Sequence, residues 1–175
     1  MRVSKQEQVP VVSLVGMSGV GKTTALEHIL HELKRRGYRV GTVKHDTHGF
    51  ELDKPGKDSW RHAQAGSDVV VISGPQKMAM IQQLSAEMPL DEIVPLMRGV
   101  DIVITEGYKR GDRPKIEVTR LERGRELLCQ PDELIGLMTD YEVDMAVPQF
   151  ALDDAQGVVD LLEDLYLQND SEVER

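Results

Sequence analysis

The chain has 175 residues, with 21 Lys plus Arg against 30 Asp plus Glu, a net charge of −9 and only 4% aromatic residues. That balance argues against an extended nucleic-acid footprint, which needs clustered cations, and against aromatic platforms for stacking single strands. A single cysteine, Cys129, excludes an intramolecular disulfide and a cysteine-cluster metal site, and no apolar run approaches the ~18 residues of a membrane span.

Residues 1–8 are polar and lack the apolar core of a secretion signal, so the expected location is cytoplasmic, with this stretch flexible. Residues 9–15 form a near-continuous apolar run, the pattern of a central parallel strand buried on both faces. A helix is expected over 22–36, with Leu26, Ile29, Leu30 and Leu33 at helical spacing and Gly37 as its stop. Residues 39–44, 69–72 and 78–81 read as short strands. A short helix is expected over 90–97, interrupted or begun anew at Pro95. Residues 100–105 make a strong strand, with Glu106 and Gly107 directly after it. Further strands are expected at 115–119 and 134–138. A last helix runs over 155–167, where Val158, Val159, Leu161, Leu162 and Leu165 share one broad face. Residues 168–175 form a polar tail, expected to fray. Strands alternating with helices predict an α/β fold, with a mainly parallel central sheet, flanking helices and some antiparallel strands. With no linker or repeat to divide it, a single domain over 9–167 is expected.

The most informative stretch follows the first strand. Gly16-Met17-Ser18-Gly19-Val20-Gly21-Lys22-Thr23 satisfies G-x-x-x-x-G-K-[ST], with a strand before it and a helix after it. Glycines let successive N–H groups turn inward around phosphate oxygens, and the positive end of the following helix adds to that field. Gly16, Ser18, Gly19, Val20, Gly21, Lys22, Thr23 and Thr24 are therefore the candidate nucleotide-binding residues. Lys22 would place a charge at the β- and γ-phosphates, and Thr23 would offer a hydroxyl to Mg²⁺. Such a loop needs an acidic partner at the end of a neighbouring strand. Glu106 fits that place better than Asp101, which stands at the strand's beginning. Lys22 and Glu106 are the expected catalytic pair.

Two other regions bear on the site. Residues 44–59 hold two His, four carboxylates and three Lys after a strand end, dense for a connector. His45-x-x-His48 could ligate a transition metal or simply be a solvated turn. A carboxylate supporting Mg²⁺, with anion contacts from Lys44, Lys54 or Lys57, is the preferred reading. Pro55-Gly56 signals a turn. Asp140, just past the strand at 134–138, could accept from guanine N1–H and its exocyclic amine, or could cap a turn. No separate Asn-Lys-x-Asp base motif is present.

The phosphate loop, Lys44-His45, Asp53-Lys54-Pro55-Gly56-Lys57-Asp58-Ser59, Ala65-Gly66 and Glu106-Gly107-Tyr108-Lys109 together resemble the molybdopterin-guanine dinucleotide biosynthesis adapter (MobB) family over about residues 9–165. The resemblance implies a P-loop GTP-binding protein with weak GTPase activity, dimeric through an extended mixed sheet. It also implies assistance to the guanylyltransferase that attaches GMP to molybdopterin, with molybdopterin itself a possible ligand. Carried over by motif, Gly19, Gly21, Lys22, Thr23 and Thr24 would bind phosphate and Mg²⁺, with Glu106 as acidic partner. The family often has an acidic residue after a His-His pair, whereas Gly49 follows His48 here. Among Asp46, Glu51 and Asp53, the setting of Asp53 matches best for a metal role. Two alternatives stay open: a small-molecule kinase or ligase, with Arg110, Arg113, Arg120, Arg123 and Arg125 as lid or solvated face, and a metal-chaperone GTPase.

Overall fold

The computed structural model describes residues 9–46 and 49–167. The expected flexible ends, 1–8 and 168–175, lie outside those residues, as does His48. The chain divides into two compact units: one built from residues up to 45 and from 97 onward, the other from 46–96.

The first unit is organised by a six-stranded sheet, every pairing of which is parallel. Its order is β2 (Val40–Lys44), β5 (Ile102–Glu106), β1 (Val11–Val15), β6 (Lys115–Val118), β7 (Leu134–Met138) and β8 (Gln149–Phe150). Each residue of β1 is buried, as the unbroken apolar run predicts. Helix α1 (Lys22–Arg35) crosses from β1 to β2 and packs with α4 (Ala155–Leu162), which continues as a wider π turn over Glu163–Leu167. Val12, Leu14, Ile102, Ile104, Ile116, Val118 and Met138 of the sheet meet Ile29 and Leu33 of α1 and Val158, Val159 and Leu162 of α4 in one core cluster. A smaller cluster of Val15, Cys129 and Leu134 covers more of β1 and β7.

Buried polar groups in this unit are paired. Thr105 Oγ1 donates to Ser13 Oγ at 2.9 Å. The Lys115 ammonium, 2% exposed, donates to Glu133 Oε1 at 2.6 Å. Glu117 accepts from the amides of Leu128 and Cys129 at 2.8 and 3.1 Å. Among the described residues no buried side-chain nitrogen or oxygen is left without a partner, as the cost of burying an unpaired polar group requires.

The second unit contains α2 (Asp58–Gln64), the antiparallel hairpin of β3 (Val69–Ser73) and β4 (Met78–Gln82), and α3 (Leu90–Ile93) with a 3-10 turn over Val94–Leu96. The helix expected over 90–97 thus changes type just ahead of Pro95. Helix α2 begins in the last two residues of the polar stretch 44–59 and runs on to Gln64, beyond any predicted element, and β8 likewise has no counterpart among the predicted strands. Among the described residues no helix is long and apolar enough to cross a membrane.

Candidate functional site

The site grows from the carboxyl end of β1. Gly16 leaves the strand at φ 148°, and a Cβ there would run into the Val118 carbonyl of β6, so only glycine lets the loop start this close to the sheet. Met17, Ser18 and Gly19 then stand exposed, while Val20 is buried and roots the loop in the core. Gly21 occupies the N-cap of α1 at φ 95°, with no side-chain cap and no acidic residue in the first turn. The positive end of a fourteen-residue helix is therefore neither capped nor neutralised by its own side chains. That is the electrostatic requirement for holding a phosphate.

Lys22 folds back over the loop and donates to the carbonyls of Gly16 and Met17 at 3.2 and 2.9 Å. Partial burial lowers its pKa below the ordinary lysine value; Lys109 pushes the same way, Glu106 opposes, and Lys44 adds to the lowering. Lysines crowded by like charge gain when an anion arrives. Thr23 Oγ1 donates to Glu106 Oε1 at 3.1 Å, although 83 positions separate the two residues. Glu106 is the last residue of β5 rather than the first beyond it, and it lies in register with Lys44 at the end of β2.

Around Glu106 the backbone is tied down. The His45 amide donates to the Glu106 carbonyl at 2.9 Å, and the Gly107 amide to the Leu14 carbonyl at 3.1 Å. Tyr108 sits in the left-handed region at φ 49°, the sole non-glycine to do so among the described residues, and its ring stacks on His45 at 4.5 Å. Holding a tyrosine there costs about 1–3 kcal/mol, which the surrounding contacts must offset.

A parallel sheet whose central strand feeds a glycine loop into a helix, with a hydroxyl and a carboxylate meeting beyond it, is the layout the motifs anticipated. The family model for "molybdopterin guanine dinucleotide synthesis protein B" (MobB) matches residues 11–140. The chain belongs to the MobB family. It is 34% identical over 140 residues to the molybdopterin-guanine dinucleotide biosynthesis adapter protein of Haemophilus influenzae, covering 79% of each. It is 29% identical over 164 residues to the adapter protein of that name in Escherichia coli, covering 88% of this chain and 91% of the relative. A crystal structure of molybdopterin-guanine biosynthesis protein B superimposes with a TM-score of 0.69 at 28% identity, covering 89% of this chain and 99% of the other.

Against this MobB framework the expected site residues fall into three groups. Residues 16–24 and Glu106 converge at the carboxyl ends of β1 and β5. Asp140, beyond β7, is exposed, and its Oδ1 accepts from the Leu121 amide at 2.8 Å, so part of its role is to fix a turn. Asp53 belongs to the second unit, where its Oδ1 accepts from the Lys54 amide at 2.8 Å. The two oxygens of Thr23 and Glu106 suit Mg²⁺, which is commonly held by one or two protein oxygens plus phosphate and water. Among the described residues no three His, Cys, Asp or Glu side chains gather to hold a metal ion by themselves.

The arginine cluster divides. Arg110 and Arg113 precede β6, whereas Arg120, Arg123 and Arg125 follow it. Arg120 Nε donates to the Val20 carbonyl of the phosphate loop at 2.8 Å. A Cβ added to Gly19 would stand 2.9 Å from Arg123 Nη2. Sequence spacing could not reveal either contact, because adjacency of β1 and β6 brings together segments a hundred positions apart.

Proposed function

We propose that this protein is a GTP-binding adapter in molybdenum cofactor biosynthesis, assisting the molybdenum cofactor guanylyltransferase as it attaches GMP to molybdopterin. The carrying observation is the Thr23–Glu106 hydrogen bond at 3.1 Å beside an uncapped phosphate-loop helix. It supports a site for a nucleoside triphosphate with Mg²⁺, and the family names of the relatives supply the pathway. In this reading the loop amides and Lys22 hold the phosphates, and Thr23 and Glu106 hold Mg²⁺. When bound, Mg²⁺ neutralises charge on the phosphate oxygens. Lys22 and the amides stabilise charge developing on the γ-phosphoryl group, giving weak GTP hydrolysis. Asp140 favours guanine, since a carboxylate complements the N1–H and amine edge that adenine lacks.

A cytoplasmic homodimer completes the proposal. Val69, Val71, Met78 and Met80, on one face of the β3–β4 hairpin, are all exposed, at 43, 53, 69 and 47%. Two-stranded sheets are marginal alone, and a contiguous apolar patch marks an interface. A second copy packing on this face agrees with the homodimer that the family resemblance implies.

The test is titration calorimetry of GTP and ATP, each with Mg²⁺, on protein of defined oligomeric state, followed by guanylyltransferase assays with and without the adapter. Selective GTP binding and stimulated GMP transfer are expected. ATP preference with no stimulation would overturn the adapter reading and favour a kinase or ligase.

A further inference from the structure

The phosphate loop is approached from two sides. Strand order places β5 on one side of β1 and β6 on the other. From the β5 side come Glu106 and Lys109, and β2 beyond it brings Lys44. These groups, with Thr23, mark the end where a terminal phosphate and its Mg²⁺ belong. From the β6 side comes the turn Leu121–Arg123, which carries Arg123 and follows directly on Arg120, arginines in place of lysines.

That turn is built rather than loose. Asp140 Oδ1 holds the Leu121 amide at 2.8 Å, and the Thr119 and Tyr141 hydroxyls meet at 3.2 Å. The Arg125 guanidinium lies 5.0 Å above the centre of the Tyr141 ring. Arg120 is engaged, its Nε bonded to the Val20 carbonyl. Arg123 differs. It is exposed, makes no ion pair among the described residues, and lays its guanidinium against Gly19, in the middle of the loop. Gly19 stands at φ 78°, a left-handed backbone that favours glycine, and the far end of the arginine lies over it. A planar guanidinium fork, unclaimed by carboxylate and held beside phosphate-binding amides, matches a phosphate in two-pronged fashion.

We propose that Arg123 is a nucleotide-contacting residue that grips the phosphate nearest the nucleoside, on the side of the loop opposite Glu106, with Arg120 and Asp140 as positioning residues for its turn. The proposal rests on the nucleotide-binding reading and deepens it. Because the contact is to the nucleoside end, it is made to di- and triphosphate alike. Its fork geometry predicts that charge alone restores only part of it.

Binding of GTP and GDP, each with and without Mg²⁺, should be measured for the wild-type protein, Lys22→Ala, Arg123→Ala and Arg123→Lys. Arg123→Ala is expected to weaken GTP and GDP by the same factor, roughly ten- to a hundredfold, leaving the Mg²⁺ dependence unchanged. Arg123→Lys should recover part of the loss. Unchanged affinity in Arg123→Ala, beside a clear loss in Lys22→Ala, would sink the Arg123 assignment alone. A loss confined to GTP would also overturn it, by moving the arginine to the terminal phosphate. If the wild-type protein binds neither nucleotide, the nucleotide reading itself falls.

Discussion

The central strands and β3 of the hairpin are written in nearly the same residues and end in opposite environments. VVSLV in β1 is buried throughout, and IVITE in β5 is buried up to its last residue. VVVIS in β3 has a single buried position, and MAMIQ in β4 has none. Apolar, β-branched composition therefore specifies a strand, while burial depends on what the topology lays over it. Crossover helices cover a parallel sheet as a consequence of its connectivity. A hairpin closes on itself through a short turn and acquires no cover that way.

A charge placed in each sheet breaks this comparison most forcefully. Val103 of β5 is wholly buried between β1 and β2. Val103→Asp should cost on the order of 4–5 kcal/mol or more. Against a total stability of ~5–15 kcal/mol, it should largely unfold the chain, as circular dichroism and denaturant melts would read. Retained native stability would mean that the strand is not buried on both faces.

Next in size is the effect of the one loop that makes the parallel sheet functional. Lys22→Ala removes an ammonium already pulled below its ordinary pKa by burial and by Lys109. Losing a charge-assisted contact should weaken nucleotide binding by about 2–3 kcal/mol, with the melting curve and oligomeric state unchanged. A shifted melting curve would reassign Lys22 to structure, since it also bonds the Gly16 and Met17 carbonyls.

Legibility in the sequence follows the same division. The strands, α1, α4 and the phosphate loop were readable because their signals are local, and the pairing of Glu106 with the loop was readable because the motif demands an acid on a neighbouring strand. Helix α2 was missed because Asp58–Gln64 carries no apolar stripe and buries no residue. Strand β8 was missed because two residues, Gln149 and Phe150, show no period. Arg120, Arg123, and the stacking of Tyr108 on His45 depend on which strands become neighbours. The turn-capping alternative for Asp140 was visible in advance; its partner, the Leu121 amide, was not.

The hairpin counterpart of the first substitution should behave differently. Val71 is 53% exposed and faces Met80 across the pair. Val71→Asp should change monomer stability by no more than about 0.5 kcal/mol, yet it places charge in the proposed self-association face. Sedimentation velocity should show a dimer for the wild-type protein and a monomer for the variant. A dimer unaffected by the charge would remove the hairpin from the interface.

Acid sharpens the comparison with the smallest effect. Glu32, on α1, accepts from Arg35 at 2.7 and 2.6 Å and from Arg36 at 2.7 Å. Arg36 also reaches Asp160 and Glu163 on the α4 side, so the carboxylate belongs to the α1–α4 seam. The hydrogen bonds from Arg35 and then Arg36 lower the Glu32 pKa from 4.5 to about 2. A folded-state pKa below the unfolded one gives stability that is present in full above pH 4.5. As pH falls below 4.5 the unfolded chain takes up a proton that the folded chain refuses, and the contribution drains away until it is gone near pH 2. Glu32→Gln should therefore flatten the pH dependence of the melting curve between these limits while lowering stability modestly at neutral pH. The strands of the hairpin contain no titratable side chain. Self-association through them should accordingly persist in the upper part of that window, where the folded chain still keeps Glu32 ionised and only its margin over the unfolded chain shrinks. Dissociation that tracks Glu32 protonation would instead show that the acid-sensitive seam, and not the hairpin, governs assembly.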